Sequence, residues 1–441
     1  MCGILGYFGG NSHAFKHKTS LDLINHRGPD FKDEIIGETY YLGHTRLSIL
    51  DLSNNGNQPM ISKDGNFVII FNGEIYNHLD LRKKYLNNID FISTCDTETL
   101  LYGLIKKGTE FINKLNGIFS FSFYNIKTKE FIIVRDHFGV KPLYYCYNNN
   151  EIFFSSEAKT LMPYLSKMSV NKSALKNYLN FLWSPGELTT VNEIKKLLPG
   201  HLIKGNSKDL KSFKIEQYYK IPFNDNDILN ESEDYFIDAL EDKLVNAVKR
   251  QMLADVPVGF FLSGGLDSSL IVAIARKLYP EKKIECYTIN SPDVSKEGFT
   301  EDLFYAKRVS EFLNINLTIV DANADILDYF DKIVYHLDEP QADPAPINVY
   351  NICNEAKKHG IKVMLGGTAG DDLFSGYRRH QALRLEKVLV FLPLFLRKFL
   401  KKIASNLNKQ NPKYRRLSKL LSNIDQPKLE RMIGYFDWID V

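Results

Sequence analysis

Very little in this 441-residue chain points to a membrane, a nucleic acid or an oxidising compartment. Its five cysteines, Cys2, Cys95, Cys146, Cys286 and Cys353, are scattered without a CxxC pair, so neither a zinc knuckle nor a disulfide framework is suggested. The formal net charge of +3 is too small to argue for nucleic acid or an anionic surface as partner. No basic N-terminal segment leads into a long apolar one, which speaks against a signal peptide. The longest apolar stretch near the C-terminus, Val388 to Leu396, is broken by Pro393 and too short to span a bilayer. No internal repeat is found. A reducing compartment, the cytoplasm, is expected. What remains is ordinary globular material, 44% hydrophobic and 25% charged, long enough for two or three domains.

The stretch richest in chemical meaning runs from Val256 to Leu278. An apolar run, Val256 to Leu262, reads as a strand buried on both faces. Ser263-Gly264-Gly265-Leu266-Asp267-Ser268-Ser269 then turns the chain into a helix with Leu270, Ile271, Ile274 and Leu278 along one side. A strand, a glycine turn and a helix N-terminus make an anion site, because backbone N–H groups approach a phosphate where the helix dipole favours its charge. No lysine follows the glycines, which excludes the common GxxxxGK[ST] loop. Asp267 would repel a polyphosphate unless a divalent cation lay between them, so the loop implies Mg²⁺ together with nucleotide. A Gly-Gly turn with Asp and Ser capping a helix is by itself widespread. The whole SGGLDSS string after a buried strand resembles the pyrophosphate loop of the ATP pyrophosphatases, which split ATP into AMP and pyrophosphate.

Downstream, apolar strands alternate with helical periods. Strands are expected at Ile284–Ile289, Ile315–Val320 and Ile361–Leu365, and helices at Ser232–Met252, Thr300–Asn314, Ile326–Leu337 and Pro346–His359. Such alternation argues for a doubly wound α/β sheet with its site at the strand C-terminal ends. Two loops fall there: His336 to Pro344, containing Asp338-Glu339-Pro340, and Gly366 to Tyr377, containing Gly366-Gly367-Thr368-Ala369-Gly370-Asp371-Asp372.

The first half opens with Cys2 ahead of a glycine-punctuated strand. Removal of Met1 would give Cys2 both a nucleophilic thiol and an α-amine of pKa near 8 to serve as its base. A cysteine at position two is by itself usually a small hydrophobe. Four strings follow, however: His26-Arg27-Gly28-Pro29-Asp30, Gly43-His44-Thr45-Arg46-Leu47-Ser48-Ile49, Phe71-Asn72-Gly73-Glu74-Ile75-Tyr76-Asn77 and Cys95-Asp96-Thr97-Glu98. Short β-rich runs separate them. In this order and spacing, over roughly residues 1–200, they resemble the glutaminase domain of the class II glutamine amidotransferases. The resemblance implies that Cys2 attacks the glutamine amide, forming a thioester and releasing ammonia. Asn72, through its side-chain NH₂, and Gly73, through its N–H, would stabilise the oxyanion. Arg46 would grip the substrate α-carboxylate in a bidentate pair, Glu74 and Asp96 would hold its α-ammonium, and Ile49 and Leu50 would line the pocket.

Both halves together resemble the glutamine-dependent asparagine synthetase family along essentially the whole chain. This implies an N-terminal αββα glutaminase domain of the Ntn type over residues 1–200. A doubly wound parallel-sheet ATP-pyrophosphatase domain is implied over 201–441. The reaction implied is that of a carbon–nitrogen ligase: an acceptor carboxylate, by default aspartate, becomes an acyl-adenylate and is attacked by ammonia delivered through the protein. Leu262, Ser263, Gly264, Gly265, Asp267, Ser268, Ile289, Gly366 and Gly367 would contact ATP, and Asp267 and Asp371 would hold Mg²⁺. A homodimer is one assembly left open. The chain departs from the family at Thr368, where a glutamate is usual in SGEGSDE. It also ends without the later cationic segment and PFLD string, so slow pyrophosphate formation is expected. Alternatives are amidation of a sugar acid, or a glutaminase whose second domain only binds nucleotide. The segment Leu385 to Val441 reads as a basic amphipathic, solvated helical face.

Overall fold

A computed structural model describes residues 1–10, 19–223, 229–290, 302–322, 326–341, 343, 345–389 and 391–438. Thr300, Glu301, Ala342, Pro344 and residues 439–441, which entered the reading above, lie outside the described residues. The chain forms two compact units, one of Met1–Leu175, Ser184–Val256 and Val334–Pro340, the other of Lys176–Trp183, Pro257–Ile333 and Gln341–Val441.

The strands of the first unit, in chain order, are β1 (Gly3–Phe8), β2 (Phe31–Ile36), β3 (Tyr40–Arg46), β4 (Met60–Ile61), β5 (Phe67–Ile75), β6 (Gly117–Asn125), β7 (Glu130–Arg135), β8 (Tyr144–Asn148), β9 (Glu151–Ser155), β10 (Lys195–Lys196), β11 (His201–Asn206) and β12 (Asp209–Gln217). They make two six-stranded sheets, ordered β10-β8-β9-β1-β3-β2 and β12-β11-β7-β6-β5-β4. Alternate residues sort into different cores, as the period of two in a strand requires. From β1, Ile4 and Phe8 join Val68 and Ile70 of β5 in the layer between the sheets, where Phe8 stacks on Phe131 with centroids 4.0 Å apart. Leu5 and Tyr7 face outward, under Leu21, Ile24, Leu161 and Tyr164. On the far side Ile69 and Phe71 lie under Leu100, Leu101 and Leu104 of the helix Asp96–Lys107. The outcome is the expected helix–sheet–sheet–helix layering. Its strands are apolar on both faces, which is why they read as runs rather than as clean alternation.

The expected boundary at residue 200 falls inside this unit. β11 pairs with β7 from Leu202↔Val134 to Asn206↔Glu130, and β12 folds back on β11. Ile203 enters the layer between the sheets and Leu202 the outer one, so these residues are part of the sandwich.

In the second unit β13 (Val258–Phe261), β14 (Glu285–Asn290), β15 (Asn316–Asp321) and β16 (Val363–Leu365) pair in parallel in the order β15-β14-β13-β16. Two crossovers run one way from β13 and the third returns to its other side, so the order reverses between β13 and β16. That is the switch point at which a doubly wound sheet opens a crevice. The helix Ala345–Lys358 buries Ile352 and Ala356 against Tyr287 and Ile361. In the helix Leu266–Leu278 the buried residues are Ser268, Val272, Ile274 and Ala275, while Leu270 is exposed. The inward face is thus turned from the one expected, because Ser268 must point back beneath the glycine loop.

Beyond residue 377 the chain forms the helices Arg378–Leu389, Leu394–Ser405, Pro412–Leu421 and Lys428–Gly434 rather than one solvated helical face. Ala404, Leu421 and Ile424 form their small core. Buried Arg431 pairs with buried Glu386, donating from Nε at 2.9 Å, and the Tyr435 hydroxyl donates to the same carboxylate at 2.9 Å. Among the described residues no helix is long and apolar enough to cross a membrane.

Phe8 is fully buried at the centre of the sandwich. Phe8→Ala should cost about 3–5 kcal/mol through lost burial and the cavity left behind, read as a lowered urea midpoint for the first unit.

Candidate active sites in the two units

Cys2 immediately precedes β1, and β1 lies between β3 and β9, so Cys2 stands at the end of a strand paired on both sides. Its Sγ accepts the Leu47 N–H at 3.4 Å, and its backbone carbonyl accepts Nε of Arg27 at 3.0 Å. Burial pushes the thiol pKa up, against the lowering influence of the terminal amine and the Leu47 N–H. Burial also lowers the Met1 amine to about 5. That amine belongs to Met1; the base of the reading, the Cys2 α-amine, is freed only when Met1 is removed.

Asn72 lies opposite Ser120 in the β5–β6 pair and is fully buried. Its Nδ2 makes one long hydrogen bond, 3.5 Å to Ser156 Oγ, so most of its donor capacity is unspent. At Gly73 a Cβ would meet the Ile118 carbonyl oxygen at 2.3 Å and Phe119 Cα at 2.7 Å, so only glycine lets the strands close there. Cys2, Arg46, Ile49, Leu50, Gly73, Glu74 and Asp96 line one small cleft, together with Leu47, Gln58 and Thr97.

Arg46 does more than face that cleft. Its guanidinium donates to Ser53 O and Asn57 Oδ1, each at 2.8 Å, to Leu50 O at 3.3 Å, and to Asp51 O. Both terminal nitrogens thus already hold the loop that carries Ile49 and Leu50. A substrate carboxylate would meet Arg46 in two-pronged fashion only by replacing some of these acceptors. Burial, then the Asp96 carboxylate, pushes Glu74 well up, and burial raises Asp96 to about 6. Two carboxylates that resist charging so close together are a receptor for a cation.

Ser156, Glu157 and Lys159 carry no role in the sequence reading, although SEAK directly follows the strand β9. Glu157 accepts His26 Nε2 and an Arg27 guanidinium nitrogen, each at 2.9 Å, and is ion-paired with Lys159. Burial alone would raise this carboxyl; the His26 hydrogen bond, Arg27 and Lys159 outweigh it and hold it at about 2.

In the second unit the glycine loop follows β13. Gly264 has φ +84, the left-handed region that favours glycine, and a Cβ there would meet the Asp302 carbonyl oxygen at 2.5 Å. Ser263 Oγ lies 3.0 Å from Ser268 Oγ, and the Gly265 carbonyl accepts the hydroxyls of Ser268 at 3.1 Å and Ser269 at 2.8 Å. The second loop closes on the first through Asp267. A Cβ on Gly367 would meet Asp267 Cβ at 2.8 Å, and one on Gly370 would meet Asp267 Oδ2 at 2.3 Å. The structure therefore brings Ser263–Ser268, Gly366, Gly367 and the start of the Gly370–Leu373 turn, with Asp371, to the switch point between β13 and β16. Leu262 is buried with its N–H on Tyr287 O at 2.9 Å, and Ile289 packs beside Tyr287. Asp338 and Glu339 do not face this crevice; their partners are in the first unit, Ala158 and Lys159 for Asp338, Tyr144 and Lys196 for Glu339. Among the described residues no cluster of three or more His, Cys, Asp or Glu side chains could hold a metal by itself.

Residues 1–219 match the glutamine amidotransferase domain family and residues 239–434 the asparagine synthase family. Over 448 aligned residues the chain is 35% identical to asparagine synthetase [glutamine-hydrolyzing] 1 of Bacillus subtilis (strain 168), covering 98% of this chain and 67% of that protein. It is 33% identical to putative asparagine synthetase [glutamine-hydrolyzing] 2 of Methanocaldococcus jannaschii, over 90% of this chain and 79% of that protein. Against asparagine synthetase B [glutamine-hydrolyzing] of Escherichia coli (strain K12) the identity is 29%, over 86% and 65%. A glutamine amidotransferase domain and an asparagine synthase domain in one chain define a glutamine-dependent ligase. The chain belongs to the glutamine-hydrolysing asparagine synthetase family.

The raised carboxyls predict a pH dependence. Below about 6 Asp96 is neutral, and the attraction for an ammonium group falls. The KM for glutamine should therefore rise as pH drops through about 6. Asp96→Asn should raise KM about tenfold and flatten that limb, as loss of a charged partner implies.

Proposed function

We propose that this chain hydrolyses glutamine at Cys2 and uses ATP at the SGGLDSS loop to amidate a carboxylate, with aspartate as the default acceptor. The observation that carries the reading is the closure of the second glycine loop on Asp267 at the switch point, in a chain that also holds the cleft lined by Cys2, Gly73 and Glu74.

In the first unit the Cys2 thiol adds to the glutamine amide carbon. With Met1 removed, the Cys2 α-amine takes the thiol proton and passes it to the departing nitrogen, which leaves as ammonia. The tetrahedral oxyanion faces the unspent NH₂ of Asn72 and the Gly73 N–H. Water then hydrolyses the thioester to glutamate. Glu74 and Asp96 receive the α-ammonium, and Arg46, with the loop it holds, receives the α-carboxylate.

In the second unit the acceptor carboxylate attacks the α-phosphorus of ATP and displaces pyrophosphate; ammonia then displaces AMP from the acyl-adenylate. The backbone of Ser263 to Ser268 and the helix N-terminus at Leu266 face the phosphates, with Gly366 and Gly367 completing the cradle. Leu262 and Ile289 flank the adenine through their backbones. Asp267 and Asp371 are the carboxylates that would hold Mg²⁺, whose charge would offset that of the phosphates. Two carboxylates suffice for this, because Mg²⁺ completes its shell with phosphate oxygens and water.

Cys2→Ala should abolish glutamine hydrolysis and leave any ammonia-driven amide formation intact. Equal loss of both activities would sink the assignment of separate sites. Asp267→Asn should weaken Mg²⁺-dependent ATP binding about tenfold or more in calorimetry while glutamine turnover is unchanged. An unaltered nucleotide affinity would remove Asp267 from the site.

A further inference from the structure

The Asp338-Glu339-Pro340 turn, which follows the helix Ile326–Leu337, packs within the first unit. The Asp338 side chain is only 4% exposed. Its carboxylate accepts the Ala158 N–H, the Lys159 N–H at 3.1 Å and the Lys159 ammonium at 3.4 Å. Lys159 also donates to the Tyr335 carbonyl at 2.8 Å and lies over the Tyr335 ring, 4.3 Å from its centroid. The short segment held in this way, Ser156 to Lys159, is the one that touches both halves of the glutaminase chemistry. Ser156 Oγ accepts the Ile4 N–H at 3.0 Å and meets Asn72 Nδ2. Glu157 fixes Arg27, which in turn holds the Cys2 carbonyl.

Asp338 adopts φ +65, a left-handed conformation that glycine or asparagine enters more easily. Aspartate is among the few non-glycine residues that enter this region, and here its carboxylate makes the contacts just described.

We propose that Asp338 is a positioning residue for glutamine hydrolysis. By clamping the Ala158–Lys159 backbone it sets the Ser156–Glu157 segment, and through Ser156 and Arg27 it sets the distance between the oxyanion donor Asn72 and the nucleophile Cys2. This rests on the glutaminase reading above. It places Asp338 outside the nucleotide crevice, although the turn follows a helix of the α/β alternation.

Two substitutions suit the left-handed backbone. Asp338→Gly removes the carboxylate and relaxes the turn; Asp338→Asn keeps one acceptor oxygen. Misalignment should lower the rate of the chemical step and spare substrate binding. Asp338→Gly should reduce kcat for glutamine hydrolysis about thirtyfold with KM within about twofold, the scale of a lost charged hydrogen bond. It should also change the rate of Cys2 alkylation by iodoacetamide about threefold or more. Asp338→Asn should lose only about threefold in kcat. Wild-type kcat and alkylation rate in Asp338→Gly would overturn the proposal, as would a rise confined to KM, or Asp338→Asn being as impaired as Asp338→Gly. If circular dichroism shows Asp338→Gly unfolded, Asp338→Asn decides: wild-type kcat and alkylation would overturn the proposal, and a loss in kcat with KM held would support it. A wild-type chain without glutamine turnover would overturn the glutaminase reading, and the alkylation rates would still decide the positioning role.

Discussion

The glutaminase unit depends on one buried carboxylate. Glu157 is 2% exposed and takes hydrogen bonds or ion pairs from His26, Arg27 and Lys159. A charge so far from water is tolerable only because every direction around it supplies a cation or a donor. Removing any one partner of such a group typically costs about 3–5 kcal/mol, because the rest is left buried and unpaired. The strand β1 brings Cys2 to this point by pairing with β3 and β9, and β9 runs directly into Ser156 and Glu157. Cys2 and Glu157 thus leave neighbouring strands of one sheet, at one end. The geometry of Cys2 follows from sheet register and this ion cluster together, and not from any group on the nucleophile itself.

The nucleotide crevice has a different physical basis. It is shaped by the absence of side chains. Gly264 lets the first loop approach the backbone of Asp302 and Ala306, and Gly367 and Gly370 let the second loop lie against Asp267. Asp267 therefore acts as a spacer between the loops as well as a charge. Each contact would be blocked by a single methyl group, which ties Gly264 and Gly367, one glycine of each GG pair, to close backbone approach.

Much of this was legible in the sequence because its signals were local. The glycine strings, the buried apolar runs and the Cys2, Asn72 and Asp96 motifs each sit within a few residues of the structure they specify. The misses were long-range. Extension of the second sheet by β11 requires His201–Asn206 to pair with β7, which begins at Glu130, and nothing near residue 200 announces that. The inward face of the helix Leu266–Leu278 was misjudged because its apolar residues surround more than one side, and the buried set includes the polar Ser268. Asp338 lies in a loop that the alternation assigned to the strand C-terminal ends of the α/β sheet. Its partners, Ala158 and Lys159, are 180 and 179 residues away in sequence. The grip of Arg46 on its own loop was hidden too, since the acceptors are mostly backbone carbonyls that no residue type reveals.

The discontinuity of the first unit has a consequence for its synthesis. A ribosome adds about 5–20 residues per second, and domains generally condense as they emerge. Here the sandwich strands end at Gln217, yet the unit includes Val334–Pro340. The stretch between must be made before Asp338 can reach Ala158 and Lys159. Closing a loop of that length is costly mainly in time, since the entropy of closure grows only logarithmically with length. For several seconds to tens of seconds the nascent sandwich carries a Glu157–Lys159 pair whose second carboxylate has not yet been translated. The last piece of the amide-hydrolysing half is thus delivered by the half that is made later.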